Sequence, residues 1–283
     1  MSQALPSLDL VVATVGRTDE LARFFDSLAA QDYAPVRAIV VDQNEDARLD
    51  AVIAGRPFYV ERIRGPLGLS RARNAGLALV EADLVAFPDD DCVYPPGLLA
   101  RVAEQLGPGS GLAGLTGRAE DASGSSAASW NDEGALLTDD NLWNRAISFT
   151  IFLRRGVVDA VGPFDEELGL GSGSPWSSGE EIDYLIRAVR SGASIEYDPS
   201  LMVVHDVRAD DRRVGARDGA SVGYLLRKHR YPLRVVLRML ARPVGGSIVS
   251  LLRLDGARCR YYLATLRGRI RGYRGAKSSN SSA

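Results

Sequence analysis

Three consecutive aspartates end an apolar segment, and this feature constrains the fold of the chain most. Leu84 to Phe87 are apolar, and Asp89, Asp90 and Asp91 follow after one proline. An apolar run that stops abruptly at charged residues is typical of a buried parallel strand. Ligands bind at the carboxyl ends of strands in open α/β sheets. The segment therefore predicts an α/β sheet with a functional site at the end of this strand.

The three carboxylates repel one another, so the sequence predicts a positive charge beside them. A hard divalent cation such as Mn²⁺ or Mg²⁺, which prefers oxygen ligands, would supply it. Asp89 and Asp91 are two residues apart, so on an extended chain their side chains point the same way and can share one ion. A solvated acidic turn is the alternative interpretation.

The flanking segments alternate between strand and helix patterns. Strands are predicted at residues 8–14, 36–41 and 58–63, and helices from Thr18 and over residues 69–80. This alternation predicts a mostly parallel open sheet with helices on both faces. Thr14, Asp42 and Asp89 then end strands at one edge of the sheet and can converge on one ligand. Asp42 suits a donor group on a base or ribose, or is satisfied by its own backbone.

Two further candidates lie in the second half of the chain. A glycine-rich loop leads to a predicted helix whose first turn contains Glu180 and Glu181. The helix dipole favours acids there, but one of them could instead be a general base beneath a flexible loop. His205 follows a late strand and is either a metal ligand or a hydrogen-bonded structural residue.

The small net charge of −2 hides a strong asymmetry along the chain. Residues 1–200 carry a net charge of −15, and the residues from 201 onward carry +13. Residues 220–283 contain 14 Lys and Arg but a single acid, Asp255. Basic amphipathic helices with tyrosines suit an anionic membrane surface, although they could also pack on the body of the protein or form a contact in a homo-oligomer. We expect a catalytic domain over residues 1–218 and basic helices with a disordered end over residues 219–283.

Other features bear on the cellular location. The start of the chain lacks the basic region of a signal peptide, and no apolar run reaches the length of a membrane span. The two cysteines, Cys92 and Cys259, are far apart and form no metal-binding pattern, which favours a reducing cytoplasm. We therefore expect a cytoplasmic protein at the inner face of the plasma membrane.

Five motifs in this order resemble the family 2 glycosyltransferases, which have the GT-A fold. The resemblance covers about residues 7 to 232. The motifs are Val11–Thr14 with Arg17, Val40–Asp42, Gly68–Gly76, Phe87–Asp91, and Gly162–Glu166 followed by Gly179–Tyr184 and Arg187.

The resemblance implies transfer of a sugar from a nucleoside-diphosphate sugar to a saccharide or lipid-linked saccharide, with Mn²⁺ or Mg²⁺ as cofactor. It implies metal binding by Asp89, Asp91 and His205, and a general base at Glu181, because Gly-Glu-Glu here replaces the usual Gly-Glu-Asp. Glu180 is the other candidate for the base. The implied donor-binding residues are Thr14, Arg17, Asp42, Arg71, Arg73, Asn74 and Asp90. One base without a dedicated nucleophile suits inversion, since Cys92 has no histidine partner.

Several alternatives remain at this stage. A retaining transferase or a nucleotide-sugar pyrophosphorylase would use a related sheet, although residues 14–17 make a poor phosphate loop for the latter. A dinucleotide dehydrogenase requires Gly-x-Gly-x-x-Gly after the first strand, which is absent. A non-catalytic protein that binds a membrane or nucleic acid is disfavoured by the intact acids. Nucleic acid is not an expected partner, because the tyrosines of the tail lie on predicted helices.

Overall fold

The structure is a computed structural model that describes residues 5–126, 130–205 and 212–275. The chain divides into two compact units. The first comprises Met1–Phe164 and Tyr184–Val207, and the second comprises Asp165–Asp183 and Arg208–Ala283. The predicted boundary between residues 218 and 219 stays a prediction, and the predicted disordered end lies outside the described residues.

The first unit contains all of the described strands, in a single sheet. They are β1 (Leu8–Thr14), β2 (Val36–Asp42), β3 (Tyr59–Arg64), β4 (Leu84–Ala86), β5 (Gly114–Glu120), β6 (Ala135–Leu136), β7 (Phe152–Arg154) and β8 (Ile195–Val204). Their order across the sheet is β3-β2-β1-β4-β7-β5-β8-β6. The pairs from β3 to β4 and the pair β5–β8 are parallel, whereas the pairs that involve β7 or β6 are antiparallel. The predicted mostly parallel α/β sheet is confirmed.

The helices are numbered in chain order. They are α1 (Asp19–Ala29), α2 (Asp50–Ile53), α3 (Leu69–Leu77), α4 (Leu98–Gln105), α5 (Arg155–Val161), α6 (Glu180–Arg190), α7 (Arg212–Lys228), α8 (Leu233–Leu252) and α9 (Gly256–Gly275). Leu10 and Val12 of β1 share one core cluster with Phe24 of α1. Val11 points the other way, toward Gly76 of α3, where a Cβ would lie 2.5 Å from Val11 Cγ1. Helices therefore cover both faces of the sheet.

The sequence also predicts strands over residues 147–153, 194–197 and 201–204, and the structure differs at all three segments. The segment predicted as a strand over residues 147–153 begins with a single 3₁₀ turn, Ser148–Thr150, before β7. The segments 194–197 and 201–204, predicted as separate strands, are one continuous strand, β8. Both segments pair with β5, with a local irregularity beside Gly117, where a Cβ would lie 1.9 Å from the carbonyl oxygen of Leu201.

In the second unit, α7 packs closely against α9 through glycines. Gly215, Gly219 and Gly223 recur every fourth residue of α7 and so line one face. A Cβ at Gly219 would lie 2.4 Å from the carbonyl oxygen of Thr265, and one at Gly272 would lie 1.9 Å from that of Ala220. The two backbones approach to a distance that only glycine permits.

The expectation that no segment is long enough to span a membrane is wrong for α8. The amphipathic pattern in the sequence indicates a helical stretch over residues 233–241. The helix instead continues through Pro243 and reaches 20 residues, and its length and composition would allow it to cross a bilayer. Length and composition alone do not distinguish a spanning helix from a surface or core helix.

Candidate active site

The ends of the central strands meet at one edge of the sheet, as predicted. Thr14 lies opposite Asp42 in the register of β1 and β2, and Ala13 forms a parallel bridge with Asp89. Thr14 and Asp42 are each only 1% exposed. Polar groups at the ends of three apolar strands are thereby brought to the same edge of the sheet.

Asp89, Asp91 and His205 form what we call the metal cluster. Each offers one ligand atom, and these atoms lie within 4.8 Å of one another. His205 Nε2 is 3.1 Å from Asp91 Oδ1, and its ring stacks on Phe149 with the centroids 4.7 Å apart. Two carboxylates and an imidazole are a donor set that suits a divalent metal such as Mn²⁺ or Mg²⁺. The residues that the resemblance implied as ligands thus lie together.

Two arginines already compensate part of the acidic charge. Arg17 Nη1 donates to Asp90 Oδ1 at 2.8 Å and also contacts Asp91. Arg73, which is 1% exposed, donates from Nη2 to Asp89 Oδ1 at 3.0 Å. The sequence predicted a cation beside the three aspartates, and side chains of the protein supply part of that positive charge.

The aspartates differ in their proton affinity. Burial raises the pKa of Asp90 to about 6, with the charge of Asp91 adding to the effect and Arg17 opposing it. Burial also acts to raise the pKa of Asp91. The hydrogen bond and charge of His205, together with Arg17, outweigh this effect and lower the pKa to about 2. Asp91 therefore carries a negative charge at neutral pH, and the ionised carboxylate is the form of an aspartate that can bind a metal. Burial raises the pKa of the Cys92 thiol well above its usual range, which makes Cys92 a poor nucleophile.

Asp42 lies in a separate polar cluster at the end of β2. Its Oδ1 accepts hydrogen bonds from the backbone and side-chain nitrogens of Asn44, at 2.8 and 2.7 Å. Its Oδ2 accepts from Arg62 Nε and lies 2.8 Å from Arg64 Nη1. Burial acts to raise the pKa of Asp42, but the hydrogen bonds from Asn44 and the hydrogen bond and charge of Arg62 lower it. Sequence reasoning missed Arg62 and Arg64, although their alternation on β3 places both on one face.

The third motif contributes both charge and structure. Arg71 is half-buried on α3, and its Nη1 lies 3.4 Å from the carbonyl oxygen of Leu67. Asn74 Nδ2 donates to the carbonyl oxygen of Phe164 at 3.0 Å, and the Phe164 N–H donates to Asn74 Oδ1 at 2.7 Å. Asn74, predicted to bind the donor, therefore also attaches α3 to the fifth motif.

Residues from motifs that are distant in sequence pack against the side chain of Phe164. Its ring makes an edge contact with Phe87, with the centroids 5.1 Å apart, and stacks on Tyr184 at 4.3 Å. The Arg73 guanidinium lies 5.6 Å from the same ring. Arg187 donates to the carbonyl oxygens of Val161 and Pro163, which fixes the turn that carries Phe164. Sequence reasoning recognised these residues as motifs but did not predict that they pack together.

Glu180 and Glu181 begin α6 and belong to the second unit. Glu180 is 5% exposed, whereas Glu181 is half-buried. Gly179 precedes them with a φ of +84°, and a Cβ there would lie 3.1 Å from Leu225 Cδ1 of α7. Of the two glutamates, Glu181 is therefore the more accessible to another molecule.

A buried ionic group ties the start of α6 to the end of α7. Asp183 is 0% exposed, and its Oδ1 lies 2.5 Å from Lys228 Nζ and 2.7 Å from His229 Nε2. Lys228 also bonds to Asp165 at 2.6 Å. Sequence reasoning missed this group, because nothing in the local pattern around Lys228 and His229 indicates a partner 45 residues away.

The fold and the acidic strand end define a glycosyltransferase of the GT-A type. The chain belongs to glycosyl transferase family 2, whose family model matches residues 9–154. The predicted enzyme class and fold are confirmed.

Two curated relatives agree with this assignment. The chain is 28% identical over 212 residues to the pre-mycofactocin glycosyltransferase of Mycobacterium tuberculosis, which covers 69% of this chain and 43% of that protein. It is 23% identical over 240 residues to the glycosyltransferase AglE of Haloferax volcanii, which covers 81% of this chain and 72% of the relative. The chain thus spans less than half of the mycobacterial protein.

Solved structures share the fold at low sequence identity. The mannosyltransferase PcManGT of Pyrobaculum calidifontis, solved in complex with GDP-Man and Mn²⁺, aligns with a TM-score of 0.63 and 11% identity over 95% of this chain and 88% of its own. TarS of S. aureus aligns with a TM-score of 0.61 and 16% identity over 92% of this chain and 55% of its own. At such identities the likeness shows the fold alone.

Proposed function

We propose that the protein transfers a sugar, with inversion, from a nucleoside-diphosphate sugar to a hydroxyl acceptor, assisted by Mn²⁺ or Mg²⁺. The observation that carries the proposal is the metal cluster, in which Asp89, Asp91 and His205 offer three ligand atoms within 4.8 Å at the end of a central strand. The Mn²⁺ and GDP-Man in the mannosyltransferase structure of the same fold support the choice of cofactor and donor class.

The metal cluster would hold the ion, whose charge when bound offsets that of a departing nucleoside diphosphate. The basic groups nearby, Arg17 and Arg73, would orient the diphosphate. Asp42 would bind the base or ribose in the polar cluster that it forms with Asn44. The full set of proposed donor-binding residues is Thr14, Arg17, Asp42, Arg71, Arg73, Asn74 and Asp90.

Glu181 would take the proton from the acceptor hydroxyl as the attacking oxygen displaces the diphosphate. Its partial exposure supports this role over that of Glu180, which is buried. A single displacement needs no nucleophile of the protein and inverts the sugar carbon. The raised pKa of the buried Cys92 thiol disfavours a covalent route through that residue. The alternative to an inverting transferase is a retaining transferase or a nucleotide-sugar pyrophosphorylase.

The acceptor would be a saccharide or a lipid-linked saccharide. The excess of basic residues after residue 219 supports a cytoplasmic enzyme held peripherally at the inner, anionic face of the plasma membrane. The catalytic domain would then comprise residues 1–218, and residues 219–283 would form the basic membrane-binding part. A homo-oligomer is the competing use of these helices.

A thermal-shift panel tests the donor and metal together, because a ligand that binds the folded state raises the melting temperature. Nucleoside diphosphates are compared with and without Mn²⁺ or Mg²⁺, for the native protein, Asp91→Asn, and Glu104→Gln, an exposed carboxylate on α4. We expect a cation-dependent rise for the native protein and Glu104→Gln, and none for Asp91→Asn. A rise that does not depend on the cation contradicts the metal, and the absence of any rise contradicts the donor class.

The stereochemical outcome is tested separately. Once the panel has identified a nucleotide, NMR of the product formed from the matching sugar donor reports the anomeric configuration. Inversion supports the single displacement, and retention overturns it.

A further inference from the structure

The helix α8 has three distinct faces in the second unit. One face is buried and consists of Val235, Val236, Met239, Pro243, Ser247 and Ser250. A second face, which we call the outer face, consists of Leu233, Leu237, Val244, Ile248 and Leu251, each between 42% and 67% exposed. Their spacing of four, seven, four and three residues follows the helical period, so they form one stripe.

The third face is a line of arginines. Arg234, Arg238 and Arg242 are four residues apart and exposed, so they lie along the edge of the outer face. More apolar residues are exposed at the end of α8 and just after it: Leu252 and Leu254 are 78% and 92% exposed. A contiguous exposed apolar surface on a soluble protein commonly marks a contact with a membrane or another protein.

We infer that the outer face of α8 inserts into an anionic lipid monolayer, with the helix lying in the membrane plane and the arginine line at the level of the lipid phosphates. This inference deepens the proposed location at an anionic membrane and does not depend on the sugar chemistry. Charge complementarity identifies the partner, because residues 220–283 carry 14 basic residues against one acid. A stripe of leucine, valine and isoleucine bordered by arginines is typical of helices that lie in the interface.

A second copy of this chain is a poorer fit to the same surface. A two-fold symmetric contact presents the same patch on both subunits. Pairing two outer faces would bring the arginine lines of both copies close to the same contact, with one acid in each basic segment to compensate them. An anionic lipid monolayer can take up the apolar outer face and also pair its phosphates with the arginine line, without this repulsion.

The packing of α8 argues for an in-plane position rather than a span. Its buried face lies against α9, where a Cβ at Gly246 would come within 2.7 Å of the Tyr262 ring. Arg269 of α9 donates a hydrogen bond to the carbonyl oxygen of Met239 on that face. If α8 spanned the membrane, it would have to separate from α9. The hydrogen bond between Arg269 and the Met239 carbonyl oxygen would then be lost. In the plane, the packed face stays in the protein and only the outer face enters lipid.

Vesicle co-sedimentation of the full chain tests the surface. The vesicles contain either phosphatidylcholine alone or phosphatidylcholine mixed with phosphatidylglycerol. The double variant Leu237→Ser/Ile248→Ser should weaken binding to the anionic vesicles by roughly tenfold or more, because two apolar side chains no longer enter lipid. Arg234→Gln/Arg238→Gln should weaken it by roughly fivefold for each arginine and reduce the dependence on salt. The matched control is Leu136→Ser on β6, which removes an apolar side chain that is 54% exposed and should leave binding unchanged.

Depth measurements distinguish an in-plane helix from a span. A fluorophore is attached to Leu237→Cys or Ile248→Cys in a Cys259→Ser background, in which the remaining cysteine, Cys92, is fully buried. The two sites are 11 residues apart, which is about 16 Å along a helix. Lipids with quenchers at known depths should report the same shallow depth at both sites. Depths that differ by most of that length would overturn the in-plane position.

Two further results would overturn the inference. One is native protein that stays in the supernatant with anionic vesicles at low salt. The other is a dimer in solution that Leu237→Ser/Ile248→Ser dissociates, which would assign the outer face to a second copy. Each variant is also tested for the cation-dependent thermal shift with nucleoside diphosphate. If that shift is absent from the native protein while vesicle binding persists, the proposed transfer fails and the membrane contact stands.

Discussion

Asn74 and Phe164 lie 90 residues apart and hydrogen-bond to each other twice, through the side-chain amide of one and the main chain of the other. The Asn74 amide both donates and accepts, so it satisfies the main-chain N–H and carbonyl groups of Phe164 as a neighbouring β-strand would. This exchange joins the helix that carries Arg73 to the turn that carries the aromatic ring beneath it. A residue that a motif assigns to ligand binding therefore also maintains the fold.

Replacing Asn74 with alanine should lower the free energy of unfolding by about 1–3 kcal/mol, because the N–H and carbonyl groups of Phe164 lose their partner. Urea denaturation monitored by circular dichroism measures the loss. Arg71→Gln, which changes a half-buried side chain of the same helix, serves as the comparison and should change stability by less. Unchanged stability of Asn74→Ala together with a raised KM for the donor would assign Asn74 to binding alone.

Glu181→Gln should lower kcat by roughly 10²–10⁴-fold and leave donor binding nearly unchanged, because the amide cannot accept the acceptor proton. Steady-state kinetics and the thermal shift with nucleoside diphosphate measure the two effects separately. Glu180→Gln is the matched control, one residue away on the same helix turn. A larger loss of kcat at Glu180 than at Glu181 would move the base to the buried residue.

Asp9 should make stability depend on acid pH. It is 1% exposed, and both of its oxygens accept hydrogen bonds from Arg37, at 2.8 and 2.6 Å. Burial acts to raise its pKa, but Arg37 and the backbone N–H groups of Glu81 and Ala82 lower it. A carboxyl whose pKa is lowered by folding stabilises the protein above its unfolded pKa of about 3.9, and this contribution is lost as the pH falls through the folded value.

Asp9→Asn should therefore be less stable than the native protein at neutral pH, and the difference should shrink as the pH falls below about 4. Denaturation curves at several pH values measure both stabilities. Asp32→Asn removes a carboxylate that is exposed and should alter the pH dependence less. A constant difference between Asp9→Asn and the native protein at all pH values would contradict the titration of Asp9.

Gly272→Ala should destabilise the protein by about 1–3 kcal/mol, because the new methyl group meets the carbonyl oxygen of Ala220 and forces α7 and α9 apart. Gly245→Ala is the matched control. It places the same change in α8, where no atom of the described residues beyond the adjacent helix backbone lies within 4 Å of the new methyl group. This variant should be neutral or stabilising because alanine favours helix. Thermal unfolding compares the two, and equal effects would contradict the close helix packing.

The sequence was sufficient for features that depend on local patterns. Apolar runs located β1, β2 and β3, and the acids at the strand ends indicated where Thr14, Asp42 and Asp89 would meet. The pairing of Asn74 with Phe164 could not be predicted, because periodicity reports which side of an element is buried and not what covers it. Similarly, the glycines of α7 recur every fourth residue, but only the structure shows that α9 is the helix they approach.

The helix α9 completes the second unit although it is the last described helix of the chain. Gly275 at its end approaches the Trp176 ring to a distance where a Cβ would be 2.9 Å away, and its glycines fit those of α7. A ribosome synthesises α7 and the segment that contains Glu180 and Glu181 well before α9 is made. Until then, the glycine face of α7 has no helix to pack against and remains open to incorrect partners. Translation of α9 therefore sets the earliest moment at which this part of the enzyme can be correctly assembled.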